Sequence, residues 1–352
     1  MSEQKELKLA DFLPTPKLVV AEHAVDKPRY PVIDAHNHLG WRKASLPQGG
    51  DLLKVMDEAG VQMIVDLTNA WDEELQAHLD TYQNAYPDRF SVFACVDWAH
   101  WANEPQFGKW AAKSLADSAA RGARGFKIFK SFGLLVKDDQ DKLVAVDDDR
   151  LTPLWDQAAK SELPVLIHVA DPAAFFDPLD RHNERYEELT RHPDWHFLGP
   201  QYPPFQKILD DFARLVERNP HTTFIGAHVG CYPENLGFAA QMMDRCPNYV
   251  IDMSARVAEL GRQPYTARRF FVKYADRILF GTDETPDVAG YRIHYRFLEM
   301  ADEHFSYTTH EPPTQGRWRI YGIHLPDEVL AKVYYKNAAR LLKLKTRSWR
   351  KP

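Results

Sequence analysis

The chain predicts a (β/α)8 barrel, and three features of its 352 residues predict it. Eight short apolar runs read as strands: 32–36, 62–67, 91–96, 124–129, 164–168, 222–228, 248–253 and 277–281. Helical stretches separate them, near 50–60, 72–86, 107–121, 150–161, 205–218, 234–245 and 265–275. Strands alternating with helices pair in parallel through right-handed crossovers, and eight is the number that closes such a barrel. The length agrees, since this architecture takes roughly 250 residues and more with insertions.

The elements carry their own local signals. Residues 1–30 hold Pro14, Pro16 and Pro28 with scattered charge, and read as an arm over the surface or a neighbouring subunit. Residues 31–345 read as one barrel domain. Ala59-Gly60 and Arg121-Gly122 mark helix ends, where glycine takes the left-handed conformation. Asp72-Glu73-Glu74 places acids in a first helical turn, favourably to the helix dipole. Pro153 sits early in its helix, where a missing N–H costs little. A last helix over 326–344 is expected to bury Val329, Leu330, Val333, Leu341 and Leu342. Two connections, 169–204 and 284–325, exceed what a minimal barrel needs and are expected to cover its mouth.

Composition excludes several classes of function. Hydrophobic residues make up 44%, enough for a large core. A formal charge of −6 argues against a nucleic-acid partner. Three cysteines without a C-x-x-C fit neither a disulfide framework nor a zinc ribbon, and suit a reducing, cytoplasmic setting. The first twenty residues lack the apolar core of a secretory signal, and no run is long enough for a membrane span.

The chemistry lies at the strand ends. Asp34-Ala35-His36-Asn37-His38 follows Pro31-Val32-Ile33, and His168, His228 and Asp283 close the fifth, sixth and eighth runs. Side chains at i and i+2 of a strand share a face, so Asp34, His36 and His38 are expected in one row, with both histidines reaching one ion. In a barrel the C-terminal strand ends converge on one face, the place of active sites. Imidazoles with one carboxylate suit a divalent ion, Zn²⁺ first, with Mn²⁺ or Fe²⁺ as alternatives. Such an ion activates water or polarises a substrate oxygen. Arg256, beyond the seventh run, and Trp41 and Arg42, beyond the first, are candidate grips for a carboxylated substrate; the competing reading of each arginine is a surface ion pair. Phe175, Phe176, Trp195 and Tyr202 are candidates to wall an unsaturated ring, or to pack the loop that carries them.

Taken in order, V-I-D-A-H-N-H, L-I-H-V-A-D, I-G-A-H-V-G and F-G-T-D resemble the amidohydrolase superfamily. Within it the chain is similar to the amidohydrolase-related branch of aminocarboxymuconate-semialdehyde decarboxylase, other aromatic-acid decarboxylases, hydratases and lactone hydrolases. The likeness spans about 32–344 and ends in Tyr335-Lys336-Asn337-Ala338-Ala339-Arg340-Leu341. It implies His36, His38, His168 and Asp283 as metal ligands, with Asp283 and His228 moving protons. It also makes Lys127 decisive: carboxylated, it bridges two ions; free, it meets substrate or an internal carboxylate such as Asp34 or Asp252. One ion is the expectation, in a homodimer without a separate β-sandwich domain. The leading expectation is hydrolysis of a lactone, ester or amide of a small carboxylated molecule by metal-activated water. The alternative is decarboxylation of an aromatic or unsaturated acid at the same site. A third reading is a metal-binding protein without activity.

Overall fold

The computed structural model describes residues 6–40, 47–346 and 349, and over these the chain forms the expected barrel. Its strands are β1 (Val32–Asn37), β2 (Val61–Asp66), β3 (Phe90–Val92), β4 (Phe126–Phe129), β5 (Val165–His168), β6 (Phe224–Gly226), β7 (Tyr249–Asp252) and β8 (Ile278–Leu279). β1 to β3 pair in order and in parallel, as do β4 to β8. Backbone bonds join the two groups at both seams. Ala94 N–H donates to Gly125 O (2.9 Å) and Lys127 N–H to Ala94 O (2.8 Å), carrying β3 onto β4. Ala35 N–H donates to Phe280 O (2.9 Å) and Asp283 N–H to His36 O (2.8 Å), carrying β8 onto β1. No strand edge is therefore left open around the ring, as closure of a barrel requires.

The interior is filled from all sides. Ile33, Met63, Phe93, Leu166, Ile225, Val250 and Leu279, from seven strands or their continuations, pack as one buried cluster. Ala338, Ala339 and Leu342 of the C-terminal segment join it and plug the end of the barrel opposite the strand C-termini. Asn337 holds that segment in register, donating to Ala275 O and Ile278 O at 2.7 and 2.8 Å. The outer core packs helices such as Phe107–Arg121 and Phe205–Arg218 on the strands through Leu115, Phe212 and Val216. Gly60 and Gly122 end their helices left-handed, at φ 78° and 110°. No helix among the described residues is long and apolar enough to cross a membrane.

Three expectations need correction. The first is the row of Asp34, His36 and His38. Ile33 and Ala35 belong to the barrel interior, so Asp34 faces outward. There it accepts bonds from Tyr291 OH (2.8 Å), Thr282 Oγ1 (2.7 Å), Thr282 N–H (3.1 Å) and Asn37 Nδ2 (3.0 Å). A register shift against β2 between Asp34 and Asn37 then breaks the alternation and returns His36 to the interior. The second is the reach of the sixth strand, which stops at Gly226 because the chain turns left-handed at His228, Val229, Gly230 and Cys231 (φ 58°, 60°, 68° and 64°). A Cβ on Gly230 would lie 2.2 Å from Tyr249 Oη, so this position admits only glycine on steric grounds too. The third is the last helix. It divides into Asp327–Ala331, a wider turn at Lys332–Lys336, and Asn337–Leu341.

The Asp34 latch is directly testable. Tyr291→Phe removes one bond to a buried carboxylate and is expected to cost about 1.5–3 kcal/mol in denaturant unfolding. Asp34→Ala, which strands several buried donors, is expected to cost clearly more; equal costs would contradict the outward placement of Asp34.

Candidate metal centre

The strand ends deliver the polar residues to one point. His36, His228 and Asp283 bring one ligand atom each to within 4.8 Å of one another. Asp283 is the hub. Its carboxylate lies 3.3 Å from His38 Nε2 and 3.6 Å from both His36 Nε2 and His228 Nε2. The His36 and His228 rings stack at 4.9 Å, and His168 meets His228 edge-on at 4.4 Å.

Neighbouring groups set which ring nitrogen is available. His36 Nδ1 lies 2.9 Å from Asp252 Oδ2, and His228 Nδ1 lies 2.9 Å from Ser254 O. A carbonyl only accepts, so His228 carries its proton on Nδ1 and keeps a lone pair on Nε2. That Nε2 is buried and has no hydrogen-bond partner. A buried lone pair left over in this way fits a positively charged partner, either a metal ion beside it or a proton in transit. Binding the remote imidazole N–H to a carboxylate or carbonyl is how proteins orient a ligand histidine. Asp252 also accepts from His228 N–H (3.0 Å), Ser254 N–H (3.0 Å) and Ser254 Oγ (2.5 Å).

The charges agree with a cation site. Burial lowers His38, lowers His168 to about 4, and lowers His228 well below the usual imidazole range with help from neighbouring groups such as Arg256. These imidazoles are thus held neutral. Burial alone would raise Asp283, but His36, His38 and His228 outweigh it and keep the carboxyl well below its usual range. Asp252 is likewise held anionic against its burial, chiefly by His36. Neutral nitrogens around a fixed anion are the protonation state that a metal needs.

The other expected site residues stand around this group in different ways. His168 Nε2 meets Ala170 O (3.0 Å) and Asp171 Oδ1 (3.4 Å) and is not in the group that converges with Asp283. Lys127 is fully buried with Nζ 3.1 Å from His36 Nε2, and burial lowers it to about 8 against the pull of Asp283 and Asp252. Of its two suggested partners Asp252 shares its surroundings, whereas Asp34 is committed on the outer face. Trp41 and Arg42 lie outside the described residues.

Above this group opens a cavity of about 510 Å³. His38, His168, His228 and Asp283 line it, together with Arg256 and, from the two long connections, Asp171, Phe175, Trp195, Glu284 and Gln315. Phe176 instead packs against Phe197 and Phe205, and Tyr202 against Phe197. Arg256 is 6% exposed. It donates from one terminal nitrogen to Ala255 O (2.8 Å), its Nε has no partner, and no carboxylate among the described residues pairs with it. Sequence reasoning missed Ser254, Lys130, Arg185, Glu188 and Gln315. Ser254 alone carried a signal, as the i+2 neighbour of Asp252 at a strand end. Lys130 pairs with Asp171 at 2.8 Å within the cavity.

The family model for amidohydrolases matches residues 33–344. The chain belongs to the amidohydrolase family. No curated protein matches it. Among solved structures, this amidohydrolase is similar to 2,6-dihydroxybenzoate decarboxylase from Rhizobium, with 17% identity, TM-score 0.55, and coverage of 89% of this chain and 99% of the other. It is similar to 5-carboxyvanillate decarboxylase from Sphingomonas paucimobilis, with 14% identity, TM-score 0.55, and coverage of 90% and 100%. It is also similar to a dihydroxybenzoic acid decarboxylase from Polaromonas sp. JS666 solved with manganese and 2-nitroresorcinol, with 17% identity, TM-score 0.57, and coverage of 89% and 97%. These likenesses establish the barrel. They also overturn the ranking drawn from sequence, which put hydrolysis first: the named neighbours are decarboxylases of aromatic acids, the reaction held there as the alternative.

The brace on His36 yields a prediction. Asp252→Asn is expected to weaken divalent-metal retention about 10–100-fold in a chelator competition, with the fold intact by circular dichroism. Unchanged retention would remove Asp252 from the support of the centre.

Proposed function

We propose that this amidohydrolase is a metal-dependent carboxy-lyase acting on an aromatic or unsaturated carboxylic acid. The observation that carries the reading is Arg256, a buried guanidinium without an ion pair, in the same cavity as His228 and Asp283. A buried charge calls for a counter-charge, and a substrate carboxylate supplies one in bidentate form. Phe175 and Trp195, nearly parallel at 6.3 Å between ring centroids, offer an apolar wall for a planar substrate. Decarboxylases of aromatic acids among the solved neighbours support the same reading.

His36, His38 and Asp283 would hold one divalent ion, and His168 would join them only by giving up its contacts with Ala170 O and Asp171. Donors of this kind accept Zn²⁺ or Mn²⁺, and two of the neighbouring structures are described with manganese. When bound, the ion supplies a Lewis acid that polarises a substrate oxygen. Arg256 orients the carboxylate, and the aromatic wall excludes water. The bond that breaks joins the substrate carbon to its carboxylate. Its electron pair stays on carbon, CO₂ departs, and one proton takes its place, so no redox partner is needed. That proton, drawn from the cavity, reaches carbon through His228 Nε2, and the Asp283 carboxylate 3.6 Å away stays anionic and stabilises the imidazolium in transit. Ser254 O keeps His228 Nδ1 occupied, so Nε2 is the atom that moves the proton.

Metal analysis should return one ion per chain. Chelation should abolish CO₂ release from a hydroxybenzoate panel, and re-addition of the ion should restore it. Release that survives chelation would sink the proposal, and two ions per chain would sink the mononuclear part. Arg256→Ala is expected to raise KM about 10–100-fold, the value of one charged hydrogen-bonded pair.

A further inference from the structure

The cavity holds a second arginine, in an opposite situation. Arg185 is 1% exposed and donates to Glu188 (2.7 Å) and to Glu259, a carboxylate on either side of one guanidinium. Within the trio two carboxylates face one guanidinium, and Arg256 and Arg262 also act on Glu188 and Glu259 respectively. Arg185 is thus held between two ion-pair partners, whereas Arg256 makes no ion pair among the described residues. Glu188, 8% exposed, stands on the cavity wall beside Arg185. Gln315 lines the same cavity from the other long connection, and its Oε1 is buried with no hydrogen-bond partner. Both groups accept hydrogen bonds, and both come from the two long connections, Glu188 from the short helix Tyr186–Arg191, rather than from the strand ends that carry the metal-binding residues.

We propose that Glu188 and Gln315 form a specificity subsite for a hydrogen-bond donor on the substrate, a hydroxyl or amino group borne away from the carboxylate that Arg256 grips. The subsite rests on the carboxy-lyase reading for its choice of acids. A donor there satisfies the waiting Gln315 oxygen and the glutamate. An alkyl substituent leaves them unpaired on desolvation, and a second carboxylate placed there meets the Glu188 carboxylate, like charge against like. Sites built to bond a polar substituent reject analogues lacking it far more strongly than apolar pockets reject an extra methyl. The substrate class is thus an unsaturated or aromatic acid with a remote donor, not a diacid. Arg185 is the positioning residue: clamped by Glu259, it fixes the Glu188 carboxylate from behind, and its stacking over Trp318 at 5.4 Å restrains it in turn.

The experiment uses the full-length, metal-loaded protein. Affinities for 3-hydroxybenzoate, 4-hydroxybenzoate, 4-aminobenzoate, 4-methylbenzoate and terephthalate are measured by titration calorimetry, with CO₂ release followed in parallel. At least one donor-bearing acid is expected to bind about 10-fold or more tighter than the methyl compound and terephthalate. Glu188→Gln should shrink the preference over terephthalate, because it removes the repelling charge. Gln315→Leu should shrink the preference over the methyl compound, and it tests the subsite without disturbing the Arg185 cluster should Glu188→Gln fold poorly. Equal affinities across the panel overturn the subsite even if CO₂ is released. Discrimination without CO₂ release keeps the subsite and overturns the carboxy-lyase reading instead.

Discussion

The carboxylate of Asp252 is the constraint on which the site depends. It accepts from the His36 ring on β1, from the His228 backbone beyond β6, and from the backbone and hydroxyl of Ser254 beyond its own β7. These bonds span three separate strand ends. Without that anion, His36 would lose the partner that orients its ring, and the turn carrying His228 would lose its anchor. Held below its usual range chiefly by His36, Asp252 remains a permanent acceptor, so the geometry of the histidines is fixed before any ligand arrives.

Much of the barrel and part of the site could be read directly from sequence. Alternating apolar runs and helical stretches located every strand to within a few residues, because strand cores are set by local burial. His36, His38, His228 and Asp283 stood out because polar groups at strand ends have few structural excuses. What escaped had non-local causes. The outward turn of Asp34 comes from a register shift against β2 and from Tyr291, far away in the chain. Lys130, Arg185 and Glu188 carried no signal in the sequence, because only the folding of the two long connections over the mouth buries Arg185 and Glu188 and half-buries Lys130. The choice between hydrolysis and decarboxylation was not in the strand ends at all, since both chemistries draw on the same ligands.

The cavity's charges are distributed with some economy. Lys130 is matched by Asp171, which is held anionic against its burial by that lysine and by His168. Arg185 is more than matched by two glutamates. Arg256 is left over, close to the group built around Asp283. An unmatched buried charge is costly; under the proposed function a bound acid offsets it, and the imbalance would give that acid its direction as well as its affinity.

The left-handed turn from His228 to Cys231 places this site in a wider trade-off. Three of its four residues are not glycine, and Val229, branched at Cβ, sits at φ 60°. Such conformations cost on the order of 1–2 kcal/mol per residue and persist only when their surroundings over-determine them. The protein thus forgoes some stability to aim one imidazole. Gly at 229 would relax the chain and loosen His228, so selection for stability alone and selection for turnover would pull this position in opposite directions.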